Sequence, residues 1–220
     1  CGGGGWAPVR RPAQGATPGK TSTKWPRPTP PLPSIAWGPR NNVNIQQSGL
    51  LFALHRVATD RALYLENYWV KNRQSIATGR TGEVNAWIIP AGQRAPGNVA
   101  TMLNDLRKQG VEVSRADAAF TVGGVSVAAG DYVIRADQPY RTLADMYFSV
   151  QSYLPTNPRP YDDTGWTMQY MRGVRLLSVK DPAVLQKPMT LLAGDAAPVS
   201  GITGNGPVVL IDHNGDNKLV

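Results

Sequence analysis

Two histidines (His55 and His213), one cysteine (Cys1) and one pair of adjacent acids (Asp162–Asp163) are the side chains best suited to hold a metal or move a proton. Zinc needs three or four convergent nitrogen, sulfur or oxygen ligands. His55 has no second His, Cys or acid three or four residues on, so it reads as structural. Adjacent carboxylates can share acid–base work or hold a cation. Beside Thr164-Gly165 they equally suit an Asx-type turn, which is the preferred reading. With both histidines isolated in sequence, no nucleophile–base pair is visible, and a self-contained enzyme is the weakest of the readings.

A second group of residues suits ligand contact rather than catalysis. Gln93, Arg94, Arg135, Tyr161 and Asp162 fall at the ends of expected strands or in a long irregular loop, where clefts usually form. Gln93 and Arg94 lie in Pro90-Ala-Gly-Gln-Arg-Ala-Pro-Gly97, between a strand and a helix. A dinucleotide fingerprint needs Gly-x-Gly-x-x-Gly at that point, so that phosphate can approach the helix N-terminus. This link has two glycines at the wrong spacing and two prolines, and it lacks the cradle.

The elements that must position these residues follow from periodicity. Leu51, Leu54, Ala58, Ala62, Leu65 and Trp69 recur at three or four residues and define one apolar helical face. Asn44 suits its N-cap and Gly79 its stop, with a break into two helices at Thr59-Asp60. Ala86-Trp-Ile-Ile-Pro90 is a short apolar run, expected as a buried strand. A helix opened by Pro96 and closed by Gly110 follows, with Val99, Met102, Leu103 and Leu106 as its buried face. Val111–Arg115 then completes a βαβ unit. Ala119–Val122 and Val125–Val127 flank Gly123-Gly124 as a hairpin. Tyr132–Arg135 is a further strand, and residues 141–152 are expected as a helix. Gly173–Val179, Met189–Ala193 and Val208–Ile211 are expected as strands. The fold class is α/β of mixed α+β type: a βαβ unit with added β-hairpins, a preceding long helix and a disordered Pro/Gly-rich lead.

Composition divides the chain. Residues 1–40 hold 9 of the 19 prolines and 7 of the 23 glycines, too many for a packed core. Trp25–Pro33 is expected to be extended, a strap anchored by Trp25, Leu32 and Trp37 or else a ligand for a Pro-binding module. The organisation read from this is a basic lead over 1–40, a helical connector over 41–80 and an α/β accessory domain over 81–220, cut short at its C-terminal end. The formal charge of +8 is concentrated at the start: residues 1–59 carry seven basic residues and no acid. The rest is nearly neutral, and no base-reading module accompanies the basic lead, so nucleic acid is not an expected partner. No stretch of 18 apolar residues exists, so no transmembrane segment is expected. Cys1 followed by Gly2–Gly5 suits either the lipidated start of a processed lipoprotein or the truncation of a longer chain.

Several blocks in order carry a family resemblance. They are Trp37-Gly-Pro-Arg-Asn-Asn-Val-Asn44, Tyr64-Leu-Glu-Asn-Tyr-Trp69, Ala86-Trp-Ile-Ile-Pro-Ala-Gly-Gln-Arg94, Gln109-Gly-Val-Glu-Val113, Ala129-Gly-Asp-Tyr-Val-Ile-Arg135, Asp137-Gln-Pro-Tyr140 and Pro160-Tyr-Asp-Asp-Thr-Gly-Trp166. From about residue 25 to 220 the chain resembles the region after the catalytic domain in large bacterial zinc carboxypeptidase-like proteins, of the carboxypeptidase A type. The resemblance implies a parent that removes C-terminal residues from peptides, often after export. In that family zinc is held by a His-x-x-Glu pair and a later His, with a Glu as general base. None of these roles transfers. His55-Arg-Val-Ala58 lacks the Glu, and His213-Asn-Gly-Asp216 has Asp there and no third ligand. The resemblance therefore implies zinc for the parent and none in this segment. The implied partners are the missing catalytic domain and, for the parent, its peptide substrate. Two functions from different classes stand: a non-catalytic accessory segment of such a peptidase, or an independent small-molecule or peptide-binding module.

Overall fold

The computed structural model describes residues 9–12, 34–150, 154–156, 166–198 and 206–207. The expected strap at Trp25–Pro33, the loop residues Tyr161 and Asp162, and the expected strand at Val208–Ile211 lie outside them. The chain divides into two compact units, Cys1–Glu66 and Asn67–Val220, with the boundary inside a helix.

In the first unit β1 (Val9–Pro12) pairs antiparallel with β2 (Ser34–Trp37), and α1 (Pro39–Thr59) follows. The helix begins five residues before the expected Asn44. Its N-cap is Gly38 in extended conformation, Pro39 takes the first helical position, and the Asn41 side chain accepts a hydrogen bond from Gly38 N at 3.0 Å. Pro at that position loses nothing, because its missing N–H would be unbonded anyway. The expected break is present. Asp60 caps α1, its N–H donating to Arg56 O at 3.0 Å, and α2 (Arg61–Thr81) starts at the next residue. The apolar face is not buried as its periodicity suggested. No residue of α1 is buried, and Leu51, Leu54, Leu65 and Trp69 are all more than half exposed.

The second unit holds a five-stranded sheet. Its strands are β3 (Ala86–Ile89), β4 (Ser114–Ala116), β7 (Tyr132–Arg135), β8 (Leu177–Val179) and β9 (Met189–Leu191), in the order β8-β3-β7-β4-β9. All neighbours are antiparallel. The β3–α3–β4 unit is present, with α3 at Pro96–Lys108, but in split form. β7 lies between β3 and β4 and runs against both. β5 (Phe120–Val122) and β6 (Val125–Val127) form the expected hairpin. Gly123 and Gly124 have φ of 55° and 76°, the pair of positive values that a tight two-residue turn requires. α4 covers Arg141–Phe148, ending four residues before its expected limit, and α5 is one short turn at Met168–Met171.

Both faces of the sheet are covered, which explains the unbroken apolar run in β3. Trp87 and Ile89 of β3, with Tyr132 and Ile134 of β7, join one core with Met102, Leu103 and Leu106 of α3 and Phe148 of α4. Ala86, Ile88 and Val133 point the other way, into a second core with Val122, Val127, Val179 and Val184. A continuous apolar strand reports two-sided burial, whatever the direction of its neighbours.

The second half of α2 is docked by close backbone approach. Ser75 and Gly79 are its two buried residues. Any Cβ at Gly79 would collide with the carbonyl group of Ala136, just after β7. Ser75 Oγ donates to Gln138 O at 3.2 Å, and buried Asn85 donates to Gly79 O at 3.0 Å, satisfying a carbonyl of the last turn. Gly79→Ala should therefore destabilise the protein by roughly 2 kcal/mol, the usual scale of overpacking. Denaturant unfolding would measure this, and hydrogen exchange should show amides 75–81 losing protection first. An unchanged midpoint would mean that α2 is not seated on residues 136–138.

Candidate functional site

The loop end of the sheet carries a group of ordered polar side chains beside a concavity with apolar walls. Register places Ile89 opposite Tyr132 and Arg115 opposite Tyr132, so the C-terminal end of β3, the start of β7 and the side chain of Arg115 meet there. The link 90–95 crosses this end. Asp131, buried, braces it: one carboxylate oxygen accepts from Ala91 N at 2.9 Å, the other from Ala128 N at 2.9 Å. Gln93 clamps it from the other side. Its amide nitrogen donates to Pro90 O at 2.9 Å and Arg175 O at 3.0 Å, and its oxygen accepts from Arg175 N at 2.6 Å.

Between these parts lies a cleft of about 310 Å³. Ala91, Pro96, Val99, Ala197 and Pro198 give it apolar walls, and Gln93, Arg115 and Tyr132 are its polar residues. The wall at 197–198 is fixed to α3. Asn104 accepts from Ala196 N at 2.8 Å and donates to Ala196 O at 2.9 Å, and Arg107 reaches Asp195 at 3.0 Å. Arg115 sits with its guanidinium carbon 4.7 Å from the centre of the Tyr132 ring and donates to the Tyr132 hydroxyl at 2.7 Å.

Of the residues singled out from sequence for ligand contact, the three that are described do not form one site. Gln93 is at the cleft, but both ends of its amide are bonded to backbone, so it holds a loop and has no group left for a ligand. Arg94 is exposed beside it and does not line the cleft. Arg135 is at the opposite end of β3, opposite Ala86, because β7 runs antiparallel. Tyr161 and Asp162 fall outside the described residues. Arg115 and Tyr132 went unnoticed in the sequence, since each stands within a strand segment. The signal available was an Arg and a Tyr in strands destined for the same sheet.

Zinc, implied by resemblance for a larger parent, finds no fitting ligand set among the described residues. His55 is exposed on α1, and among the described residues no three His, Cys, Asp or Glu side chains converge. Among the described residues, too, no helix is long and apolar enough to cross a membrane. A second concavity, of about 430 Å³, lies between the later turns of α2 and the start of α4, with Lys71 and Arg141 on its rim. The chain matches no protein-family model, no curated protein and no solved structure.

Arg135 has a different task. It holds Asp137 with two bonds, Nε to one oxygen at 2.8 Å and Nη2 to the other at 2.9 Å, and Arg80 of α2 adds a contact at 3.6 Å. Burial alone would raise the Asp137 carboxyl. The bonds from Arg135, and the charges of Arg135 and Arg80, outweigh that and hold it below the usual carboxylate range. A carboxyl depressed on folding contributes stability above its unfolded pKa of about 3.9, and that stability is lost as pH falls through the folded value. Asp137→Asn should therefore unfold more easily than wild type at pH 6 and lose the difference towards pH 3. Urea midpoints at the two pH values would test this; equal gaps at both would mean that the carboxylate's charge is not what matters.

Proposed function

We propose that this chain is a non-catalytic accessory segment of a larger zinc carboxypeptidase-like protein, and that its helical connector is covered by that protein's catalytic domain. One observation carries the reading: α1 runs for 21 residues without burying any of them. Val43, Leu50, Leu54 and Val57 recur at spacings of seven, four and three residues, so they line one stripe, and they are 43 to 60% exposed. Isolated helices are marginal in water, and most helical stability in proteins comes from packing an apolar face. Apolar surface of this extent marks an interaction site. The helix has Arg40 and Arg56 and no acid between residues 39 and 59, so the partner surface that suits it is apolar with an acidic rim.

The resemblance supplies the occupant. On this reading the parent is an exported peptidase that holds zinc and cleaves C-terminal residues, and this segment buttresses it without touching the reacting atoms. The independent binding module is the weaker reading, because Gln93 and Arg135 of its proposed site stand at opposite ends of the sheet and Arg135 is engaged by Asp137.

Zinc content and carboxypeptidase activity should be measured on this chain and on the full-length parent. The expected outcome is an active, zinc-loaded parent beside a metal-free, inactive chain. The double substitution Leu50→Asp with Leu54→Asp should cut activity or soluble yield of the parent severalfold. In this chain alone it should move stability by no more than about 0.5 kcal/mol, as exposed positions do. Stoichiometric zinc or peptide cleavage in the chain alone would sink the proposal, as would a parent indifferent to both charges.

A further inference from the structure

Four of the nine arginines described in the second unit have carboxylate partners, Arg80 among them. Arg107 has Asp195, Arg135 has Asp137 and Arg172 has Asp105. Arg115 is half-buried and has no carboxylate in reach among the described residues. Its Nη2 is bonded to the Tyr132 hydroxyl, while its Nε is buried without a hydrogen-bond partner. A guanidinium carries five donors and never loses its charge in a protein. Removing such a group from water without an acceptor is costly, and a buried donor left unbonded adds to the cost. Stacking on Tyr132 fixes the plane of the guanidinium in advance, which lowers the entropy lost when an anion is bound.

We propose that this cleft binds a small carboxylate bearing a short apolar substituent, with Arg115 as its counter-ion and Tyr132 as the platform that orients the guanidinium. The carboxylate is the chemistry that fits a planar fork of donors. Its substituent lies against Ala91, Pro96, Val99 and Pro198. Among the described residues Arg115 is the only cation lining the cleft, which favours a single negative charge over a phosphate dianion. The volume, about 310 Å³, is at the lower end of the range for ligand pockets and suits a ligand of a few carbons. Arg141 also has a buried Nε without a partner, but its concavity is lined mostly by polar side chains and shares a second cation, Lys71, so it offers a small apolar substituent little to lie against. The proposal does not rest on the accessory reading, and a failure of either leaves the other standing.

The test is a titration of this chain with isobutyrate, read by calorimetry and by the Arg115 Nε–Hε resonance in ¹⁵N spectra. Isobutyramide serves as the neutral isostere and inorganic phosphate as the dianion. Saturable isobutyrate binding that moves the Arg115 resonance is expected, with isobutyramide at least about tenfold weaker because the charge-assisted bonds are lost. Arg115→Met should abolish binding, and Arg115→Lys should weaken it, since a point charge cannot reproduce the fork. Ala197→Phe, which fills the wall without touching the guanidinium, should also abolish binding and covers the case in which Arg115→Met does not fold. No saturable shift in the wild type would overturn the proposal. So would equal binding of isobutyramide, tighter binding of phosphate, or undiminished binding in a folded Arg115→Met or Ala197→Phe.

Discussion

The side-chain amide of Gln138 holds three parts of the second unit in one place. It is almost completely buried. Its oxygen accepts from Glu112 N at 2.7 Å, and its nitrogen donates to Glu112 O at 3.0 Å and Arg135 O at 2.7 Å. The amide thus acts as an extra rung between the end of β7 and the chain that leads into β4. The Gln138 carbonyl accepts from Ser75 of α2, beside the point where Gly79 lets helix and backbone touch. Shortening this side chain would strip three part-buried backbone groups of their partner, at up to about 1–3 kcal/mol for each that water does not reach. The side-chain amide thus ties the end of β7 to the approach to β4, and the backbone carbonyl of the same residue receives α2.

From that order comes the placement of the cleft. An antiparallel β7 between β3 and β4 brings the start of β7 to the C-terminal end of β3, where the link to α3 departs. Tyr132, the first residue of β7, is therefore opposite both Ile89 and Arg115. The last residue of the strand, Arg135, goes to the far end and is consumed by Asp137. Strand direction alone decides which of two arginines faces a cleft and which becomes part of an ion pair beneath α2.

Element type was legible in the sequence, and relative direction was not. β7 follows from the short apolar run Tyr132–Ile134, and the hairpin from alternation around a turn that only glycine fits easily. The break at Asp60 follows from Thr-Asp interrupting the apolar spacing. Ala86–Ile89 was read as a buried strand, correctly, but an apolar run cannot tell a parallel neighbour from an antiparallel one when both sheet faces are covered. Gln93, Arg94 and Arg135 all follow or end a strand in the sequence, and the antiparallel β7 carries Arg135 to the end of the sheet away from the other two. Gln93 drew attention as a polar residue in a loop. Its role as a clamp on Arg175, 82 residues away, has no local signature. The start of α1 was misplaced for a local reason: Asn44 has the usual capping side chain, but Gly38-Pro39 sets the backbone earlier.

The loops around the cleft are held by side chains bonded to main chain. Asp131 spans Ala91 and Ala128, Gln93 spans Pro90 and Arg175, Asn104 returns both bonds to Ala196, and Asn85 closes α2. Groups so committed rigidify the surroundings and have little left to offer a ligand. Accounting for buried polar atoms then narrows the field. Asp60 Oδ2 has Arg56 Nε at 2.7 Å, whereas Gln169 Oε1, Arg141 Nε and Arg115 Nε are buried without a described partner. Arg141 borders the more polar concavity. Arg115 is the one of the three that lines the apolar-walled cleft: a fixed charge, held against an aromatic ring, with a donor that nothing described in the chain satisfies. A scaffold that meets so many of its other polar demands internally makes that exception informative. The residue left wanting an acceptor is the one whose acceptor arrives from outside.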